Sequence, residues 1–102
     1  MLKLVIAMVK PDVTDNVVKA GKEASGAGAT IVPARGTGIH EAKTFFGLVL
    51  EEQTDIILFV VPEGRADAVM EAIAKAGEFS EPGTGVAFVV PIEQAIGFRC
   101  QE

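Results

Sequence analysis

Tryptophan and tyrosine are absent from this chain, and histidine and cysteine occur once each, as His40 and Cys100. A lone cysteine forms no intramolecular disulfide. A mononuclear zinc site needs three or four protein ligands, and the chain has neither a Cys-x-x-Cys nor a His-x-x-x-His pair to start one. A nucleophile, base and orienter would all have to share His40, so a catalytic triad is not expected either. Basic residues are also scarce. Nine Lys and Arg against fourteen Asp and Glu give a net charge of −5, the opposite of the balance that grips duplex nucleic acid by its phosphates. Apolar runs such as Ile56–Val61 and Val86–Val90 are too short to span a bilayer. Met1–Lys10 carries lysines near both ends with no small-residue cleavage site after it, so it reads as a strand rather than a leader, and a cytoplasmic protein is expected.

What is present fits one globular domain over residues 1–102. Hydrophobic residues make up 49% and charged residues 23% of the chain, too apolar for disorder. A chain of this length buries only roughly 65% of its unfolded surface, so self-association would add stability.

Shifted by 51 residues, the sequence partly realigns with itself. Val9-Lys10-Pro11-Asp12 falls on Val60-Val61-Pro62-Glu63, Val18 on Val69, and Gly26 on Gly77. Each half reads as strand, Pro-acid turn, helix, Gly, strand. The first strand is expected over Leu2–Lys10, stopped by Pro11. Asp12 is the expected N-cap of a helix reaching Ser25, with Asp15 favourable to its dipole and Val13, Val17, Val18 and Gly21 or Ala24 facing inward. Gly21 costs about 1 kcal/mol against Ala in a helix interior, a cost that close packing on a sheet would justify. Gly26-Ala27-Gly28 ends the helix.

Thr30–Arg35 forms the second strand, placed at an edge because Pro33 cannot donate to a ladder. Asp55–Val61 is apolar on both faces, as a central strand should be. Glu63–Ala76 is a helix with Val69, Met70, Ile73 and Ala76 inward, Val86–Val90 is the fourth strand, and Ile92–Arg99 is a tail with room for one more turn or strand. The order βαββαβ with right-handed crossovers gives an α+β, ferredoxin-like sandwich: a four-stranded antiparallel sheet with both helices on one face. No residues remain to cover the other face, so a second subunit is expected there, in a closed symmetric oligomer.

Gly36-Thr37-Gly38 follows the second strand, where glycines let backbone N–H groups approach a phosphate; a turn needing positive φ explains the same triplet. Gly77–Gly85 is a glycine-rich connection in which Gly83-Thr84-Gly85 suits a phosphate or a sugar, or simply a surface loop. Ile39–Thr54 is long for a hairpin connection and mixes His40, Glu41 and Lys43 with Phe45 and Phe46. It suits a partner-binding surface, and its Leu48–Leu50 stretch also suits an extension of the following strand.

Together these residues resemble the PII signal-transduction family and its PII-like relatives, over essentially the whole chain. Val9-Lys10-Pro11 is similar to the family's opening Ile-Lys-Pro. Gly28-Ala29-Thr30-Ile31-Val32-Pro33-Ala34-Arg35-Gly36-Thr37-Gly38 resembles its second strand and Gly-x-Gly. Gly83-Thr84-Gly85-Val86 through Pro91-Ile92-Glu93-Gln94-Ala95-Ile96 resembles its nucleotide-binding B-loop, fourth strand and Pro-Val-Glu-x-Ala-Ile signature. The resemblance implies a homotrimer with sheets facing a central core. It implies adenine nucleotides bound in clefts between subunits, and a projecting T-loop that acts on partners such as membrane transporters. Members are mostly regulators rather than enzymes. Residues 39–54 take the T-loop position and 77–86 the B-loop position. The implied ligand residues are Thr30, Arg35, Gly36, Thr37, Gly38, His40, Gly83, Thr84, Gly85, Val86 and Arg99, with Lys43, Phe45 and Phe46 toward a partner.

The departures from the family pattern are chemical. The T-loop is several residues shorter, and without tyrosine it cannot be uridylylated there. His40 stands where 2-oxoglutarate-sensing members carry a Gln that helps hold Mg–ATP. The B-loop is longer by a few residues, Val86 replaces a phosphate-binding lysine, and Gly97 replaces the first of two arginines, leaving Arg99. Loss of two cations weakens a triphosphate site, since charge-assisted contacts supply most of its affinity. The expected effector is therefore AMP or ADP rather than ATP, without a metal. The alternatives are a ferredoxin-like module for an amino acid or a metal ion, and an enzyme like nucleoside diphosphate kinase. That enzyme's opening resembles Met8-Val9-Lys10-Pro11-Asp12, but its catalytic histidine segment has no counterpart around His40.

Overall fold

The structure, a computed structural model, describes residues 1–35, 44–45, 48–49, 53–81 and 84–97. Strand β1 (Leu2–Val9) is followed by a 3-10 turn at Pro11–Val13 and helix α1 (Thr14–Ser25). Edge strand β2 (Thr30–Ala34), a short pair β3 (Thr44–Phe45) and β4 (Leu48–Val49), β5 (Thr54–Pro62), α2 (Glu63–Ala76) and β6 (Gly85–Pro91) complete the chain. The main sheet is antiparallel in the order β2-β5-β1-β6. This is the expected ferredoxin-like arrangement, with Pro33 on an outer strand where its missing N–H costs no ladder bond.

The period of two along β1 and β5 divides the sheet into two unlike faces. Val5, Ala7 and Val9 of β1 and Ile57, Phe59 and Val61 of β5 are fully buried, packed with Val17 of α1 and Val69 and Ile73 of α2. Their neighbours in sequence point the other way. Met8 lies beside Ile56 and Val86, Ile6 beside Leu58 and Phe88, and Leu4 beside Val60 and Val90. These rows are apolar throughout, yet no element among the described residues covers them. Val32 and Val90, at the two sides of this face, are each 40% exposed.

Gly21 is required by packing. A Cβ there would overlap the tip of the Phe59 ring, so the helix accepts a poor helix former and lies close on the sheet. The two repeated glycines at the helix ends differ in purpose. Gly26 is a left-handed C-cap (φ 71°) whose N–H donates to the Lys22 carbonyl at 2.8 Å. Arg65 of α2 also reaches the terminal carbonyls of Ala24 and Ser25. Gly77 has φ −93°, and the left-handed residue that ends α2 is the next one, Glu78 (φ 55°), with Phe79 N–H donating to Ala74 O and Glu78 N–H to Lys75 O.

Three local expectations are corrected. Asp12 does not cap α1: it lies inside the Pro11–Val13 turn, and Val13 precedes the helix with no side-chain cap. Proline fits the start of a 3-10 turn as well as that of an α-helix. The helix start is instead tied across the fold, where buried Thr14 donates through Oγ1 to Asp55 Oδ2 at 2.6 Å. Leu48–Val49 pairs with Thr44–Phe45 rather than extending β5. No helix or strand forms over 92–97.

These contacts predict opposite signs from the usual ones. Gly21→Ala, stabilising at an open helix site, is expected to destabilise here by about 1–2 kcal/mol, the overpacking cost exceeding the propensity gain. Thr14→Val removes a hydrogen bond to a carboxylate and is expected to lower the denaturant midpoint by an amount equivalent to about 1–3 kcal/mol, with the m-value unchanged.

Candidate functional site

Two chain segments that carry the proposed ligand chemistry end at the same end of the sheet. Pro33 of β2 pairs with Asp55, Asp55 with Val9, and Val9 with Gly85 of β6, forming one row across all four strands. Exposed Arg35 leaves this row at the β2 side, and Thr84-Gly85 enters it at the β6 side. The two sides are three strand spacings apart, roughly 14 Å. The structure therefore places Arg35 at the same end of the sheet as Gly85, two residues beyond its row, and on the opposite edge. Thr30 lies at the far end of β2, level with Leu58 and roughly 16 Å along the strand from Arg35. Val86 faces the open sheet surface beside Met8. Gly36, Thr37, Gly38, His40, Lys43, Phe46, Gly83 and Arg99 lie outside the described residues, as does the side chain of Phe45.

The connection from α2 to β6 is built around a side chain that the sequence pattern did not single out. The Phe79 ring occupies the space that a Cβ of Gly77 or of Gly85 would need, with Val17 close to Gly77 as well. One aromatic ring thus fits between the last residue of one element and the first of the next, and both flanking residues must be glycine. The backbone around it folds back on itself: Phe79 N–H donates to Ala74 O at 2.9 Å, Glu78 N–H to Lys75 O at 3.2 Å and Glu81 N–H to Glu78 O at 3.0 Å. Thr84 Oγ1 lies 2.7 Å from Glu78 O and 2.9 Å from Glu81 O, so its proton is used within the connection. Glu78 adopts φ 55°, the only non-glycine residue with positive φ among the described residues. A Gly-x-Phe sequence followed by a second glycine was the available signal, but only the fold brings the two glycines to one ring.

Two open depressions lie on the helix layer, one against Lys75, Glu78 and Glu81, the other against Ala20, Ala24 and Ala72. Neither is lined by a residue expected to bind ligand. Among the described residues no three metal-ligating side chains converge, and no helix is long and apolar enough to cross a membrane.

A four-stranded antiparallel sheet with both helices on one face and an uncovered apolar face on the other define a small domain of the ferredoxin-like class. The family model "Nitrogen regulatory protein P-II" matches residues 2–102. Nitrogen regulatory protein P-II of Rhodobacter capsulatus is 33% identical over 99% of this chain and 95% of its own length. Nitrogen regulatory protein GlnK2 of Haloferax mediterranei is 32% identical over 96% of this chain and 84% of its own. The crystal structure of Arabidopsis thaliana PII bound to citrate superposes with a TM-score of 0.68 at 25% sequence identity, covering 89% of this chain and 77% of that one. The chain belongs to the nitrogen regulatory protein P-II family. It is a signal-transduction regulator and not an enzyme, as its named relatives are.

The Phe79 contacts predict a coupled pair of substitutions. Gly85→Ala is expected to lower stability by about 1–3 kcal/mol through overpacking, and Phe79→Val in the same chain to recover part of that loss, a non-additivity read from melting curves at one protein concentration.

Proposed function

We propose that this chain works as a homotrimeric PII-type regulator that binds AMP or ADP in clefts between subunits and controls a partner such as a membrane transporter through residues 39–54. The observation that carries the reading is the uncovered apolar face formed by Leu4, Ile6 and Met8 with their neighbours on β5 and β6. A face of this kind is stable only when buried, and rotational symmetry buries it against copies of itself.

The same symmetry supports the inter-subunit cleft. Arg35 and Gly85 lie at the same end of the sheet on opposite edges, more than three strand spacings, roughly 14 Å, apart within a protomer. A cyclic assembly that sets the β2 edge of one subunit near the β6 edge of the next brings the two segments to one ligand. In that cleft Gly36, Thr37, Gly38, Gly83 and Gly85 supply backbone approach, Thr30, His40, Thr84 and Val86 line it, and Arg35 and Arg99 supply positive charge. Lys43, Phe45 and Phe46 face the regulated partner. The B-loop role of 77–86 and the T-loop role of 39–54 belong to the same proposal. A relative bound to citrate supports a small-molecule effector.

With Val86 and Gly97 in place of cations, each added phosphate gains little, so AMP and ADP are favoured over ATP. Calorimetric titration with AMP, ADP and ATP, with the mass followed by light scattering, tests this. The expected result is micromolar binding of AMP or ADP to a trimer, with ATP weaker. A trimer that binds none of the three overturns the nucleotide reading and favours another small ligand. Leu58→Asp places a carboxylate on the apolar face and is expected to convert the trimer to monomer; a trimeric Leu58→Asp variant would contradict the burial of that face.

A further inference from the structure

We draw no further inference here: the strongest candidate, the apolar surface that Ile31 of β2 and Val89 of β6 leave exposed on the helix side at the two edges of the sheet, carries none, because nothing in the structure shows what covers it.

Discussion

The pairing of β1 with β5 is the constraint on which the rest of the molecule depends. Leu2 through Val9 run antiparallel to Asp55 through Pro62 in an unbroken ladder at the centre of the sheet. That one register assigns Val5, Val9, Ile57 and Phe59 to the helix side and Leu4, Ile6, Met8, Ile56 and Leu58 to the other. A slip of one residue would exchange the two sets. It would also move Phe59 off Gly21, where ring and helix are in contact, and Asp55 away from Thr14, to which it is hydrogen-bonded. The helix layer is therefore specific to this register through a polar tie and a shape match, and not through hydrophobicity alone.

The second face carries the functional meaning. A chain that covers one side of its sheet with two helices and leaves the other apolar is half of a core. In the proposed assembly, completion by other copies would also bring distant sheet edges together and so form a cleft that one protomer lacks. The scarcity of cations in the sequence limits the charge available to such a cleft.

Much of the fold was legible in the residues themselves. Short apolar, β-rich runs marked the four sheet strands, Pro33 marked an edge, and the Pro-acid pair at Pro62-Glu63 with Gly77 bracketed α2 at Glu63–Ala76 as found. Local signals failed where a distant partner decides. Asp12 has the chemistry of an N-cap, but the helix start is settled by Thr14 meeting Asp55, 41 residues away. At Gly85 the sequence suggested backbone approach to a phosphate and gave no sign that its missing side chain also accommodates Phe79. The two halves repeat in sequence, but the left-handed residue that ends the helix is Gly26 in the first and Glu78, one position past the repeated Gly77, in the second. Family resemblance supplied the candidate ligand residues; spacing alone left a surface turn equally able to explain Gly36-Thr37-Gly38.

Complementation between two defective subunits tests most directly whether assembly creates the cleft. Arg35→Glu and Arg99→Glu each replace a cation of the proposed cleft by an anion without placing a charge on the apolar face. Alone, each is expected to bind no AMP or ADP. When the two are unfolded and refolded together, clefts that draw Arg35 from one subunit and Arg99 from its neighbour should regain binding at about a quarter of the wild-type stoichiometry, as random mixing around a ring requires. A mixture that binds no more than either variant alone would contradict a site shared between subunits.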